Sequence, residues 1–600
     1  MKKKLLTCLA GIAAAAAMIL PIKADEPSFD CWFSYPGSHS ADDARNDYYA
    51  FQGSSELVQT VWKDETVFFK IAVRAEQDTT LYAEVSGLKQ AEAEVCHLED
   101  IRTSMGIGLE NAAPVREIPD LVVPGSELTL TAGNTGFFWL RIHIPAGASA
   151  GKEQGIITIR DAGGSQKECR LTLQILPLSL PEERAYSVNL WQYPYVSLQY
   201  YDCLQGQEPF SAGHVKELRQ ELELYRETGG NAVTVTVVPE PWGHQTYYDT
   251  PSMVVWHRHD DGYYSFDFSL LEQWVKLCEE CGINGRIDTY SPLPWDGSVT
   301  VIRDDQSEER LFLTPGTYNW TAAWEAFLYA YMDVLEKNGW FDRTYLCLDE
   351  RDAEAARAVL DLVGNVRNSS GQSFRVSVAV NRWEDVSLYD QADDISISLT
   401  IIPKDPAQLQ EVLSRRHSMR RTTTLYNCTA TYPSAFTCSE PDETIWMFDY
   451  LSTSGFTGYL RWALDAWNDN PYMDMRDRNF EAGDSFMIYP DRKDAADPRP
   501  CRSLRTEMII AGSQRAEKLK ILGERYPQLR QDIGMINRPS GQVNAWGAMT
   551  GTDTAAAAVT EEVMLVQELM AQYEELMAQY EEQLADPWKG KTKSRHRLPA

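Results

Sequence analysis

Long apolar segments and basic residues are both scarce in this 600-residue chain. After residue 24, no run approaches the roughly 18 consecutive apolar residues that a membrane-spanning helix needs, so no later span is predicted. Lysine and arginine total 56 against 87 acids, a formal net charge of −31. That charge repels nucleic acid and favours neutral partners. A Walker A loop and an H-E-x-x-H motif are absent, and no motif predicts a cofactor.

The eleven cysteines lack the short, even spacing of a disulfide framework. Cys278 and Cys281 form a C-x-x-C pair within a helix-like pattern, without a second pair or nearby histidines. Packing or an incidental disulfide therefore fits them better than a zinc site. The segment "WHRHDD" at 256–261 offers two histidines and two aspartates, but its polar, hairpin-like surroundings indicate a surface turn. No metal site is predicted.

Residues 1–24 have the order of an export signal: three lysines, an apolar core and a small residue, Ala24, before Asp25. We expect cleavage there and export of the mature chain, which is then periplasmic or secreted. An uncleaved N-terminal anchor is the alternative.

After residue 24, the pattern of apolar and turn residues changes from one part of the chain to the next, and each part predicts a different structure. Residues 25–183 hold short alternating or apolar runs between turn residues, typical of an antiparallel β-sandwich. Residues 184–475 hold eight β-rich runs that alternate with helical patterns, which favours a (β/α)8 TIM-type barrel over a doubly wound open sheet. Residues 476–525 predict a hairpin and a helix packed on the barrel. Residues 526–600 predict a helical extension, whose near-repeat "ELMAQYE" suits packing or a short coiled coil, with a basic tail.

Asp349 and Glu350 follow the fourth β-rich run, in "TYLCLDERD". Chance alone gives about a dozen adjacent acid pairs in a chain of this composition, so only the position of this pair at the end of a β-rich run distinguishes it. In a barrel, the end of a strand is where catalytic residues lie. Aromatic residues at or beyond other run ends suit a sugar pocket, because sugar C–H faces pack on aromatic rings. The candidates for substrate binding are Trp242, Tyr290, Trp295, Tyr426, Trp462 and Trp467.

Two carboxylates and aromatics suggest glycoside hydrolysis. The ordinary retaining mechanism places its carboxyls about 5–5.5 Å apart across the scissile bond, which neighbouring residues on one strand end fit poorly. They fit better a substrate-assisted mechanism, in which the 2-acetamido oxygen of the sugar attacks C1. One acid then orients the acetamido group, and the other protonates the leaving oxygen.

The chain resembles glycoside hydrolase family 123 and related exported bacterial β-N-acetylgalactosaminidase-like proteins. The blocks that carry the resemblance include "YSPLPW", "NGWFDRTYLCLDERD", "TTTLYNCTATYPSAF" and "GFTGYLRWALDAWNDNPYMD", between about residues 188 and 522. The resemblance implies that Asp349 polarises the acetamido group and that Glu350 is the general acid and base. It also implies that Tyr426 and the Trp462 region line the sugar site.

The resemblance further implies a glycan or glycoconjugate substrate with a terminal β-linked N-acetylhexosamine, most often galactosamine. The sequence departs from the family pattern in "DRKDAADPRPCRSLR", where Cys501 stands in place of a small hydroxyl residue. A non-catalytic carbohydrate-binding or scaffold protein is the alternative function. Both acids are present, which favours the enzyme.

Overall fold

The computed structural model describes residues 28–40, 53–104, 115–383, 388, 390–429, 431–473, 480–537 and 553–585. The predicted export signal and the basic tail lie outside these residues. Within them, no helix combines the length and the apolar character needed to cross a membrane.

The N-terminal region consists of two β-sheets around one apolar core. One sheet has the strand order β1-β3-β8-β5-β6-β23, and the other has the order β2-β10-β9-β4-β7. Alternate residues of β10, such as Cys169, Leu171 and Leu173, are buried between the sheets, as the period of a strand requires. The strands are β1 Phe29–Ser34, β2 Glu56–Lys63, β3 Glu65–Ala75, β4 Thr79–Ser86, β5 Glu92–Ser104, β6 Val115–Pro124, β7 Glu127–Leu130, β8 Thr135–Ile144, β9 Gly151–Asp161, β10 Gln166–Ser179 and the later β23 Arg502–Ser503.

The central region is built on one curled sheet of eight parallel strands, in the order β11-β22-β21-β20-β19-β18-β15-β12. Each of the eight predicted runs contains one of them. The two edge strands approach each other at a single parallel bridge between Val188 and Gly230. The strands are β11 Ser187–Leu190, β12 Val233–Thr236, β15 Ile287–Tyr290, β18 Thr344–Leu348, β19 Arg375–Val380, β20 Asp394–Ser398, β21 Thr422–Tyr426 and β22 Gly458–Arg461.

Helices connect most of these strands, and several of them begin or end at a capping residue. Asp352 and Thr317 accept N-cap hydrogen bonds from backbone N–H groups, and Gly339 ends its helix with a φ of 73°. The helices are α1 Val196–Tyr200, α2 Ala212–Glu227, α3 Ser269–Glu280, α4 Tyr318–Asn338, α5 Ala353–Asn365, α6 Pro406–Ser418, α7 Pro441–Ser454, α8 Leu504–Arg525, α9 Pro527–Ile536 and α10 Asp553–Ala585. Three 3-10 turns lie at Asp202–Leu204, Phe341–Arg343 and Ile402–Lys404.

A small four-stranded sheet, which was not predicted, lies in the loops that follow β12 and β15. It has the order β14-β13-β16-β17, with β13 Val255–Arg258, β14 Tyr264–Asp267, β16 Ser298–Arg303 and β17 Glu308–Phe312. The first half of "WHRHDD", residues 256–258, belongs to β13, and Trp256 is buried. Residues 259–261 lie in the turn to β14, where His259 Nδ1 lies 2.7 Å from Asp304 Oδ1. The predicted surface turn is therefore confirmed only for the second half of the segment.

The C-terminal part joins the two regions. The predicted hairpin around "GDSFMIYP" is wrong, because this segment forms only isolated bridges, from Phe486 to Asp465 and from Tyr489 to Cys501. Strand β23 instead pairs antiparallel with β6 of the N-terminal region. On α8, the buried Glu507 accepts a hydrogen bond from Arg141 at 2.9 Å. Helix α10 packs its apolar stripe against β10, α8 and α9.

The prediction of a β-rich region followed by an α/β region is therefore confirmed. Its finer classification as a sandwich and a closed barrel stays a prediction, as do the domain boundaries.

Candidate active site

The acid pair lies at the carboxyl end of β18, at the start of the turn that leads into α5. Asp349 and Glu350 are both half-buried. Glu350 has a φ of 51°, in the left-handed region that non-glycine residues rarely occupy. Such backbone conformations persist where the surrounding structure holds them, and they cluster at functional sites.

Two donors from neighbouring strands hold the carboxylate of Glu350. The hydroxyl of Tyr426, the last residue of β21, donates to Glu350 Oε1 at 2.5 Å. The amide of Asn381, directly after β19, donates to Glu350 Oε2 at 2.7 Å. Burial and the charge of Glu350 raise the pKa of Tyr426 well above its usual value, so the phenol keeps its proton and remains a donor. Glu350 is thus fixed at both oxygens.

Asp349 has a different environment, although it is the adjacent residue. The indole N–H of Trp295 donates to Asp349 Oδ2 at 3.1 Å. Burial and the charge of Glu350 raise the pKa of Asp349 to about 8, against the opposing effects of the Trp295 hydrogen bond and the Arg351 charge. The raised pKa means that the pair shares one proton at neutral pH.

Five aromatic rings from four strand ends form a cluster beside the acids. Trp191 stacks on Trp242 with 5.1 Å between ring centroids, and its ring lies 4.5 Å from that of Tyr290. Tyr193 lies 5.2 Å from Trp242 and 6.4 Å from Trp462. All five side chains are largely buried, and the charge of Asp349 contributes to the raised pKa values of both tyrosines.

The predicted substrate residues divide into those near the acids and one that lies elsewhere. Tyr426 and Trp295 contact the pair directly, and Trp242, Tyr290 and Trp462 belong to the aromatic cluster. Trp467 has no accessible surface, packs on Tyr200 and Tyr201, and donates its N–H to the carbonyl of Ile488 at 2.8 Å. A sugar could contact Trp467 only if this packing were displaced.

Buried ionic contacts support the strand ends behind the cluster. The guanidinium of Arg461 on β22 lies 3.0 Å from the carboxylate of Asp484, and both side chains are fully buried. The indole of Trp462 also faces Asp484, whose pKa burial raises to about 7. Asn427 accepts from the hydroxyl of Tyr459 at 2.5 Å. This packing fixes the positions of Trp462 and of the β21 end.

Sequence reasoning missed Asn381 and Tyr193. Asn381 had one available signal, because a polar residue directly follows the apolar run "VSVAV" at a strand end.

Among the described residues, one group could also offer three ligand atoms to a metal ion: Glu240, His244 and Asp249, whose candidate atoms lie within 4.8 Å of one another. It lies in the loop after β12, is largely exposed, and is separate from the "WHRHDD" segment, for which no metal site was predicted.

An acid pair at a strand end, ringed by aromatics, defines a glycosidase-like site, and comparison with known proteins agrees. The family profile described as "Glycoside hydrolase 123, catalytic domain" matches residues 191–522. The chain belongs to this family, and it is a glycoside hydrolase by class.

Several solved structures are similar to this chain. A family 123 glycoside hydrolase from Clostridium perfringens, described in work on glycolipid glycan hydrolysis, is 26% identical with a TM-score of 0.82, covering 93% of this chain and 100% of that one. A GH5 xyloglucanase from Bacteroides ovatus is 10% identical with a TM-score of 0.27, covering 78% and 99% of the two chains. A Bacteroides uniformis beta-glucuronidase 2 mutant is 10% identical with a TM-score of 0.28, covering 71% and 46%. No curated protein matches the chain.

Proposed function

We propose that this protein is an exported, exo-acting β-N-acetylgalactosaminidase that retains the anomeric configuration through substrate-assisted catalysis. The observation that carries the proposal is the unequal environment of two adjacent acids. Asp349 touches one indole donor, whereas Glu350 is held by two donors. Adjacent acids with different environments suit two different tasks on one side of one sugar ring.

In this mechanism, Asp349 accepts the N–H of the 2-acetamido group as a carboxylate. The acetamido oxygen attacks C1, the bond to the leaving oxygen breaks, and Glu350 gives that oxygen its proton. The oxazolinium that forms is positively charged, and the carboxylate of Asp349 stabilises it. Glu350 then removes a proton from the water that opens the ring.

The single proton of the pair must therefore change position when the substrate binds. We place it on Asp349 in the free protein, because burial raises the pKa of that carboxyl to about 8, and there it would prevent acceptance of the acetamido N–H. Binding of that N–H favours the ionised form of Asp349, which leaves the proton to Glu350. The substrate itself thus prepares the general acid. A sugar without the acetamido group provides neither the nucleophile nor this exchange.

The proposed pocket uses Trp242, Tyr290, Trp295, Tyr426 and Trp462 around the sugar, at the carboxyl ends of a closed (β/α)8 barrel. Catalytic sites of such barrels lie at this face. The description of the Clostridium perfringens relative supports a glycoconjugate as the natural substrate class.

The test compares aryl β-N-acetylgalactosaminide, aryl β-N-acetylglucosaminide and aryl β-galactoside. We expect hydrolysis of the first, slower hydrolysis of the second and none of the third. Asp349→Asn should lower turnover by about 10²–10³-fold. Glu350→Gln should slow substrates with poor leaving groups by about 10²–10⁴-fold and activated aryl glycosides much less.

The matched control is Glu354→Gln, because Glu354 is an exposed acid on the first turn of α5. It should leave both rates unchanged. A covalent glycosyl adduct on Asp349, or rapid hydrolysis of the galactoside, would refute substrate assistance. Binding of the amino sugars without any turnover would favour the carbohydrate-binding alternative.

A further inference from the structure

The β16–β17 hairpin presents an unusual surface at its end nearest the acid pair. Phe312, the last residue of β17, is 69% exposed, and Trp295, which holds Asp349, is 39% exposed. A large aromatic side chain that stays this exposed leaves apolar area in water.

Hydrogen bonds and strand pairing connect the two rings over a short distance. Phe312 pairs directly with Ser298 in the antiparallel hairpin, and Ser298 follows Trp295 by three residues. Leu313 donates its backbone N–H to the carbonyl of Gly297 at 2.8 Å, which closes the end of the hairpin. Paired residues lie about 5 Å apart and three residues span about 10 Å, so Phe312 lies within one or two sugar lengths of Trp295.

The space over this hairpin end is open, and polar groups line it. A Cβ atom at Gly297 would meet no heavy atom within 4 Å. The guanidinium of Arg310 lies 5.2 Å from the ring centroid of Phe312. It donates to Ser298 Oγ at 2.9 Å and also bonds the carboxylate of Asp296. An exposed ring flanked by an arginine–carboxylate pair combines a stacking face with hydroxyl-binding groups.

The backbone places this surface firmly relative to the acids. The backbone N–H of Trp295 donates to the carbonyl of Pro241 at 3.0 Å. The guanidinium of Arg351, the residue after Glu350, donates to the carbonyl of Trp295 at 3.4 Å. A ligand that binds to Phe312 would therefore be held at a fixed position relative to the acid pair.

We infer that Trp295, Asp296, Arg310 and Phe312 form a subsite for a neutral sugar residue on the leaving-group side of the scissile bond. The inference rests on the proposed function, because the occupant is the next residue of the same glycan. Phe312 stacks on the face of that sugar, and the Arg310–Asp296 pair binds its hydroxyl groups. The aromatic cluster holds the terminal sugar, and this subsite selects the sugar residue to which the terminal sugar is linked.

The test measures kcat/KM on two substrates that share the terminal sugar. One is a neutral trisaccharide with terminal β-N-acetylgalactosamine, and the other is the corresponding glycosyl fluoride, whose one-atom leaving group cannot reach Phe312. Phe312→Ala should lower the ratio of trisaccharide to fluoride hydrolysis about tenfold. Phe312→Trp should retain the ratio, because it keeps an aromatic face.

Tyr263→Ala is the matched control. Tyr263 is 66% exposed in the β13–β14 turn of the same small sheet, and this turn lies at the Arg303 end of β16, about 17 Å from Ser298. The control should keep the ratio of the unmodified protein. An unchanged ratio in Phe312→Ala, or an equal loss in Tyr263→Ala, would overturn the subsite alone. Failure of the unmodified protein to hydrolyse either substrate would overturn the proposed function, and the subsite with it.

Discussion

The hydrogen bond from Trp295 to Asp349 predicts a measurable shift in the pH dependence of catalysis. The pair acts only while it holds one proton, and that proton is lost at about pH 8 in the free protein. The alkaline limb of kcat/KM reports this loss, because above it no proton remains for the leaving group. Trp295→Phe removes a donor that favours the ionised form of Asp349. The pKa must therefore rise and the limb must move to higher pH.

The size of the shift follows from the contact. A hydrogen bond to a charged group contributes about 1.5–3 kcal/mol, and one pKa unit corresponds to about 1.4 kcal/mol. Because Trp295 is 39% exposed, water can replace part of the lost contact, and we expect the lower end of the range. The limb should move by about one unit, from about pH 8 to about pH 9.

The assay is kcat/KM from pH 5 to pH 10 on a disaccharide, whose poor leaving group requires the acid. Other groups that sense the charge of Asp349, such as Tyr193 and Tyr290, have raised pKa values and do not titrate at the limb. Glu354→Gln should leave the limb in place. An unchanged limb in Trp295→Phe, or a move to lower pH, would refute the proposed location of the proton.

Three further predictions concern stability. Burial raises the pKa of Glu443 to about 8, so the folded protein binds this proton more tightly than the unfolded chain, and stability falls as pH rises from about 5 to 8. Glu443→Gln should flatten that decline in Tm, and an unaltered slope would contradict it. Gly512→Ala on α8 should lower the free energy of unfolding by about 1–3 kcal/mol, because the new Cβ would lie 2.4 Å from the ring of Phe448 on α7. Gly523→Ala on the same helix should be neutral or stabilising, because the nearest atom to its Cβ would be 3.5 Å away. Urea unfolding of both variants measures this, and equal effects would count against it. The sulfurs of Cys31 and Cys169 lie 3.7 Å apart, so oxidised glutathione should cross-link them and raise stability by about 2–4 kcal/mol; peptide mapping that finds both thiols free after oxidation would exclude this.

Sequence patterns alone located the parallel strands and most of the long helices. The run "TYLCLD" is apolar and bounded by turn residues, and Asp352 and Gly339 mark helix ends, so these elements depend on neighbours in sequence. The small sheet of β13, β14, β16 and β17 was missed because its strands, such as "VWHR" and "EERLF", mix charged with apolar residues, unlike the apolar runs of the parallel sheet. The predicted hairpin at "GDSFMIYP" failed because its residues pair outside the segment, Phe486 with Asp465 and Tyr489 with Cys501.

The sequence by itself determined that an acid pair ends a buried strand, because that order is local and can be read from residues 344–350. Only the tertiary structure decided what surrounds the pair. Tyr426 and Trp467 both lie at or near run ends, yet Tyr426 contacts Glu350 and Trp467 is buried against Tyr200. Asn381 reaches Glu350 across 31 residues of sequence. The direction of a side chain beyond a strand end depends on the twist of the sheet and on loops from distant parts of the chain, and no local pattern encodes either.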